Sequence, residues 1–81
     1  MYFVYILLCS DNSYYTGISN NLEKRFLNHK NGKGAAYTRS HKPIKIIYQE
    51  AYSDKSRALK REAQIKKLTK AQKELLLNEN P

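Results

Sequence analysis

Tyr2-Phe3-Val4-Tyr5-Ile6-Leu7-Leu8-Cys9 is an unbroken apolar run rich in aromatic and β-branched residues. Such a run suits a strand covered on both faces, so it is expected at the centre of a sheet. Working outward, Ser10-Asp11-Asn12-Ser13 is a turn cluster and Tyr14 to Ile18 a second short strand, and the two strands make a hairpin that brings Tyr5 and Tyr15 toward each other. Ile44 to Tyr52 alternates imperfectly, with Ile44, Ile46, Tyr48 and Tyr52 on one face and Lys45, Ile47, Gln49 and Ala51 on the other. That pattern predicts a third antiparallel strand, paired with the first.

Between and after the strands the period changes to that of helices. Asn20 or Asn21 caps a helix carrying Leu22, Phe26 and His29 on one stripe, which stops near Asn31-Gly32 where glycine permits a left-handed residue. The stretch from Lys33 to Pro43 has no periodicity and is expected to be a surface loop. Ser53 or Asp54 caps a helix with Ala58, Leu59, Glu62 and Ile65, and Thr69-Lys70-Ala71-Gln72 matches a capping box that opens a last helix. The fold class is therefore α+β: a small three-stranded antiparallel sheet flanked by helices in the order β-β-α-β-α-α. One domain is expected over residues 1–81, with a core of about 2–68 and a C-terminal helix of about 69–78.

The chain has 15 Lys and Arg against 7 acids, a formal charge of +8, so it attracts polyanions, nucleic acid first among them. An anionic membrane is a poorer fit, because the basic helices lack the Trp/Phe/Leu face of an interfacial anchor. The single cysteine, Cys9, cannot form an internal disulfide and reads as a small buried hydrophobe. No Cys/His group has zinc spacing, and the apolar opening is too short for a membrane span or a signal peptide. A cytoplasmic protein is expected.

Arg25 and His29 are four apart and share a face of the first helix, beside the Leu22/Phe26 stripe that meets the sheet. A guanidinium at that border can grip a phosphate with two parallel hydrogen bonds. Glu62 has Leu59 three residues before it and Ile65 three after, which puts its carboxylate on the inward stripe of its helix. A buried carboxylate without a partner would cost several kcal/mol, so it needs either a cation such as Arg25, Arg57 or Lys66, or a metal ion. The other acids fall at turns, caps or exposed helix positions, with Glu50 the one candidate exception, which argues against a two-metal centre. The expectation is one Mg²⁺ or Mn²⁺ ion held by Glu62 and waters.

These residues, in this order, resemble the GIY-YIG nuclease family, and within it the short standalone UPF0213 type, over about Tyr2 to Leu68. Phe3-Val4-Tyr5 stands where the family has Gly-Ile-Tyr, and Tyr15-Thr16-Gly17 where it has Tyr-Ile-Gly; Arg25 falls eight residues after Gly17, His29 sits at a position that is His or Tyr, and Glu62 matches the metal-binding glutamate. The resemblance implies an endonuclease that hydrolyses DNA phosphodiesters. Tyr5 or Tyr15 would deprotonate water, Arg25 would steady the phosphate, and Glu62 would set the divalent metal at the leaving oxygen. Ile18 stands where many members have a Lys, which leaves His29 as the proton relay. A phenol with an ordinary pKa of about 10 is a poor base unless positive charge lowers that value. The alternative is a nucleic-acid-binding module with a degenerate nuclease site.

For grip on nucleic acid, Arg57, Lys60, Arg61, Lys66 and Lys67 crowd the later helices, and Tyr37, Arg39 and Lys42 mix an aromatic with cations in the loop. Such groups contact phosphates and stack on bases without choosing sequence. The family's well-defined nucleases carry a separate DNA-recognition domain and these 81 residues hold none, so a protein partner that supplies specificity is expected, with the chain a monomer or a weak dimer.

Overall fold

The computed structural model describes residues 1–79. Three strands, β1 (Tyr2–Cys9), β2 (Tyr14–Ser19) and β3 (Pro43–Tyr52), form one antiparallel sheet in the order β2-β1-β3, so the apolar opening run is the central strand as expected. The helices are α1 (Leu22–Lys30), α2 (Ala36–Ser40), α3 (Lys55–Lys66) and α4 (Lys70–Glu79). The local capping signals are realised. Asn21 Oδ1 accepts from Lys24 N at 3.2 Å, Asp54 Oδ1 accepts from Ser56 N at 3.0 Å, and Thr69 and Gln72 exchange reciprocal bonds of 3.1 and 2.9 Å at the head of α4. Gly32, with φ +76°, ends α1 in the left-handed region, and Asn12 at φ 68° turns the hairpin.

The pleat of β1 divides its side chains between two covered faces. Val4 and Ile6 join Tyr48 of β3 and Ala58 and Ile65 of α3 in the core, with Tyr14, Ile18, Tyr52, Leu76 and Leu77 packed against it. Tyr5, Leu7 and Cys9, one residue out of phase, are just as deeply buried on the opposite face. On that face Tyr5 meets His29 of α1.

Two expectations are corrected. The stretch from Lys33 to Pro43 contains the one-turn helix α2, which is too short to show a period in the sequence. The pairing of β1 with β3 shifts between Ile6↔Tyr48 and Leu7↔Ile46, leaving Ile47 as a bulge. Beyond that bulge the strand changes phase, so Ile46 falls opposite Leu7 instead of sharing the face of Tyr48, and a second shift, between Leu8↔Lys45 and Cys9↔Pro43, skips Ile44, which is exposed.

Candidate active site

Tyr5 sits opposite Gly17 in the β1–β2 register. A Cβ on Gly17 would lie 2.5 Å from the Tyr5 hydroxyl, so the absence of a side chain there is what lets the phenol lie across β2. Tyr5 is 1% exposed and its hydroxyl is hydrogen-bonded to His29 Nε2 at 2.9 Å. His29, also 1% exposed, uses its other ring nitrogen, Nδ1, to bond Thr38 Oγ1 at 2.7 Å, and Thr38 Oγ1 donates to the backbone oxygen of Ala35 at 3.0 Å. A buried file of four groups thus runs from the central strand through α1 to α2.

Tyr15 completes an aromatic cluster around the imidazole, its ring centroid 6.5 Å from that of Tyr5 and 5.1 Å from that of His29. On the far side of Tyr15, Tyr37 stacks at 5.9 Å, and His41 stacks on Tyr37 at 4.2 Å. His41 is held from below by Asp11, whose Oδ2 lies 2.5 Å from its Nδ1.

The charges around this cluster act in opposite directions. Burial pushes the Tyr5 phenol up to about 12, and the neighbouring Arg25 guanidinium pulls against that rise. Burial, aided by the nearby Arg25 guanidinium, lowers His29 to about 4. At neutral pH the pair is therefore a neutral phenol facing a neutral imidazole. Arg25 also lines a polar cleft of about 200 Å³ with Ser19, Asn20, Asn21, Lys24 and Asn28, so one guanidinium borders both the buried pair and the surface.

Glu62 lies on the inward side of α3, its side chain 15% exposed, paired with Lys66 Nζ at 3.5 Å. The stripe that carries it differs from the expected one: Leu59 is 44% exposed, and the buried neighbours are Ala58 and Ile65. The charge of Glu62 is felt at Tyr5, as the smallest of the influences on that phenol, and no hydrogen bond joins them. Among the described residues no three His, Cys, Asp or Glu side chains converge on a metal position. A lone, largely buried carboxylate of this kind suits a hard cation that keeps most of its waters and takes its remaining ligands from a phosphate.

The sequence-derived residues thus fall into groups. Tyr5, Tyr15, Arg25 and His29 come together, with Glu62 within electrostatic reach. Tyr37 joins the cluster's outer edge, while Arg39, Lys42, Arg57, Lys60 and Lys67 are exposed. Lys66 shares its charge with Glu62. Arg61 departs from its expected role, because its guanidinium makes a bidentate pair with Glu50 and is committed to the fold. Ile18 packs against the core between the sheet and α3, so its apolar side chain is a packing choice. Thr38 and Gly34, whose added Cβ would run into the His29 ring, were not singled out by any sequence signal. Both lie in an aperiodic stretch, and their partner is a helix away.

The model of the GIY-YIG catalytic domain matches residues 1–75 of this chain. A UPF0213 protein of Staphylococcus epidermidis is 47% identical over 78 residues, covering 96% of this chain and 95% of that protein. One from Clostridium perfringens is 53% identical over 78 residues, covering 96% and 84%. The solution NMR structure of a protein from E. faecalis superposes with a TM-score of 0.65 at 41% identity, covering 95% of this chain and 82% of that one.

Proposed function

Because this chain belongs to the GIY-YIG family, we propose that it is a metal-dependent endonuclease that hydrolyses DNA phosphodiester bonds at the Tyr5–His29–Arg25 centre. The observation that carries this reading is the buried hydrogen bond between Tyr5 and His29 beside the Arg25 guanidinium. Packing alone would leave an apolar residue in either position. Here a buried proton donor and a buried proton acceptor lie beside a positive charge, and that same guanidinium lines a polar cleft at the surface.

Between the two tyrosines the geometry favours Tyr5 as the group that takes the proton of water. A phenol raised to about 12 does not ionise at neutral pH, so it cannot begin as a free phenolate. It can act while passing its own proton on. A water admitted to Tyr5 Oη when a phosphate docks at Arg25 gives a proton to that oxygen as Tyr5 gives its own to His29 Nε2, leaving a neutral phenol, an imidazolium and a hydroxide that attacks phosphorus. Arg25 supports this step twice: it offsets the charge that builds on the phosphate, and a phosphate bound against it cancels part of the field that lowers His29. Tyr15 walls the cluster and fixes the ring positions. Glu62 would hold one Mg²⁺ or Mn²⁺ ion, which supplies Lewis-acid stabilisation of the leaving oxygen when bound.

The test is nicking of supercoiled and branched DNA by purified protein with Mg²⁺ or Mn²⁺, beside Tyr5→Phe, Arg25→Ala and Glu62→Ala. Wild type should nick only with the divalent ion and stop on chelation, and each variant should lose about 10²-fold or more. Equal nicking by wild type and variants would sink the reading. DNA binding without cleavage by the wild type would instead favour a binding module with a degenerate site, the reading that the high Tyr5 pKa also allows.

A further inference from the structure

We infer that Thr38 is a positioning residue for His29: it fixes the imidazole in the tautomer with its proton on Nδ1 and so keeps the Nε2 lone pair turned toward Tyr5. A hydroxyl has one proton, and that of Thr38 is spent on the backbone oxygen of Ala35 at 3.0 Å. Toward His29, 2.7 Å away, Thr38 Oγ1 can therefore only accept. The proton in that bond belongs to Nδ1. A neutral imidazole carries one N–H, so Nε2 is left as the acceptor for the Tyr5 hydroxyl at 2.9 Å. The direction of every proton in the file, Tyr5 to His29 to Thr38 to Ala35, follows from that one backbone contact.

The surroundings give the arrangement little room to change. Tyr5, His29 and Thr38 are each 1% exposed, so no water competes for either ring nitrogen. Gly34 lies against the imidazole so closely that a Cβ there would overlap its Nδ1, Cγ and Cε1 atoms. The segment from Gly34 to Thr38 is thus a clamp on the back of His29: glycine supplies the close approach and threonine the acceptor. Tyr37, next to Thr38, stacks on Tyr15, which ties the same segment to the front of the cluster. A histidine in the opposite tautomer would present an N–H to Tyr5 and could not receive its proton. Where a carboxylate orients a histidine base, upsetting the tautomer costs about 10⁴-fold in rate; a neutral hydroxyl should matter less, about 10- to 100-fold.

The kinetic part of this inference rests on the nuclease reading, whereas the tautomer does not, and the experiment separates them. Two-bond ¹H–¹⁵N spectra at pH 7 would report the His29 tautomer in wild type, Thr38→Val and Thr38→Ser, with nicking rate and DNA affinity measured on the same samples. Wild type and Thr38→Ser should show a protonated Nδ1 and a bare Nε2. Thr38→Val should move His29 toward the Nε2–H form and lower the nicking rate about 10- to 100-fold at unchanged affinity, with Thr38→Ser near wild type. Should the valine variant not fold, Thr38→Ala carries the same readings. A wild-type Nε2–H histidine, or a Thr38→Val protein that keeps the Nδ1–H form, overturns the inference. A wild type that never nicks but shows the tautomer shift in Thr38→Val removes the nuclease reading and leaves the positioning of His29 by Thr38 in place.

Discussion

At the scale of single residues, His29 shows how burial sets chemistry. An imidazole in water has a pKa near 6.5, and here desolvation, aided by Arg25, takes it down to about 4. Between those two values the unfolded chain binds a proton that the folded chain refuses, so stability is full above about pH 6.5 and is lost as pH falls through about 4. In an NMR pH titration the His29 ring signals should stay in their neutral positions down to about pH 5, and the unfolding midpoint should fall across that window. Replacement by the uncharged His29→Gln should flatten the fall. A His29 resonance that titrates near 6.5 would show that the ring is hydrated and that the Tyr5 pair is not closed.

At the scale of elements, the strand that follows the loop and the helix that follows the strand are joined through Glu50. Burial raises the pKa of this carboxyl, but hydrogen bonds from Arg61, Tyr48 and Tyr52 more than reverse it and hold it below the ordinary carboxylate range. Arg61 Nε and Nη2 approach it at 2.9 and 3.0 Å, so α3 is pinned to β3 one residue away from Glu62. Replacing Glu50 by Gln leaves a half-buried guanidinium short of its partner and should cost about 2 kcal/mol, or about 10 °C in Tm for a chain of this size. Thermal unfolding followed by circular dichroism checks this, and an unchanged midpoint would remove Glu50 from the account of how α3 is placed. The elements were largely legible in advance: β1 from its apolar run, and α1, α3 and α4 from caps that are local in sequence. The helix α2 was not. It holds because Thr38 meets His29 and Tyr37 stacks between Tyr15 and His41, contacts that no window of neighbouring residues contains.

At the scale of the whole molecule, the formal charge of +8 is spread unevenly in its usefulness. Arg61 is spent on Glu50 and Lys66 on Glu62, and Lys70 donates to the backbone oxygen of Asn12, whereas Arg39, Lys42, Arg57, Lys60 and Lys67 are exposed. Exposed cations bind phosphates by releasing counterions, and each such contact adds about 0.9 to the slope of log affinity against log salt. A Lys60→Gln/Lys67→Gln protein should therefore bind a labelled duplex more weakly by fluorescence anisotropy, with a salt slope smaller by up to about 2. Arg61→Gln should alter stability but leave that slope alone. Equal slopes for wild type and the double variant would place the nucleic acid on another face.

The sequence by itself determined the sheet order, the places of α1, α3 and α4, and the approach of Tyr5 to Tyr15 across the hairpin, since apolar period, turn residues and caps act over a few neighbouring positions; the grouping of Arg25 and His29 with the tyrosines was carried by the family resemblance. Glu62 was found inward for a partly mistaken reason, because Ala58 rather than Leu59 shares its buried side. Tertiary structure alone decided that Arg61 serves Glu50, that β3 bulges at Ile47, and that Thr38 holds His29. Those outcomes depend on which of several polar groups meets a partner once water is excluded. That choice is made by packing between segments, and a one-dimensional pattern carries no record of it.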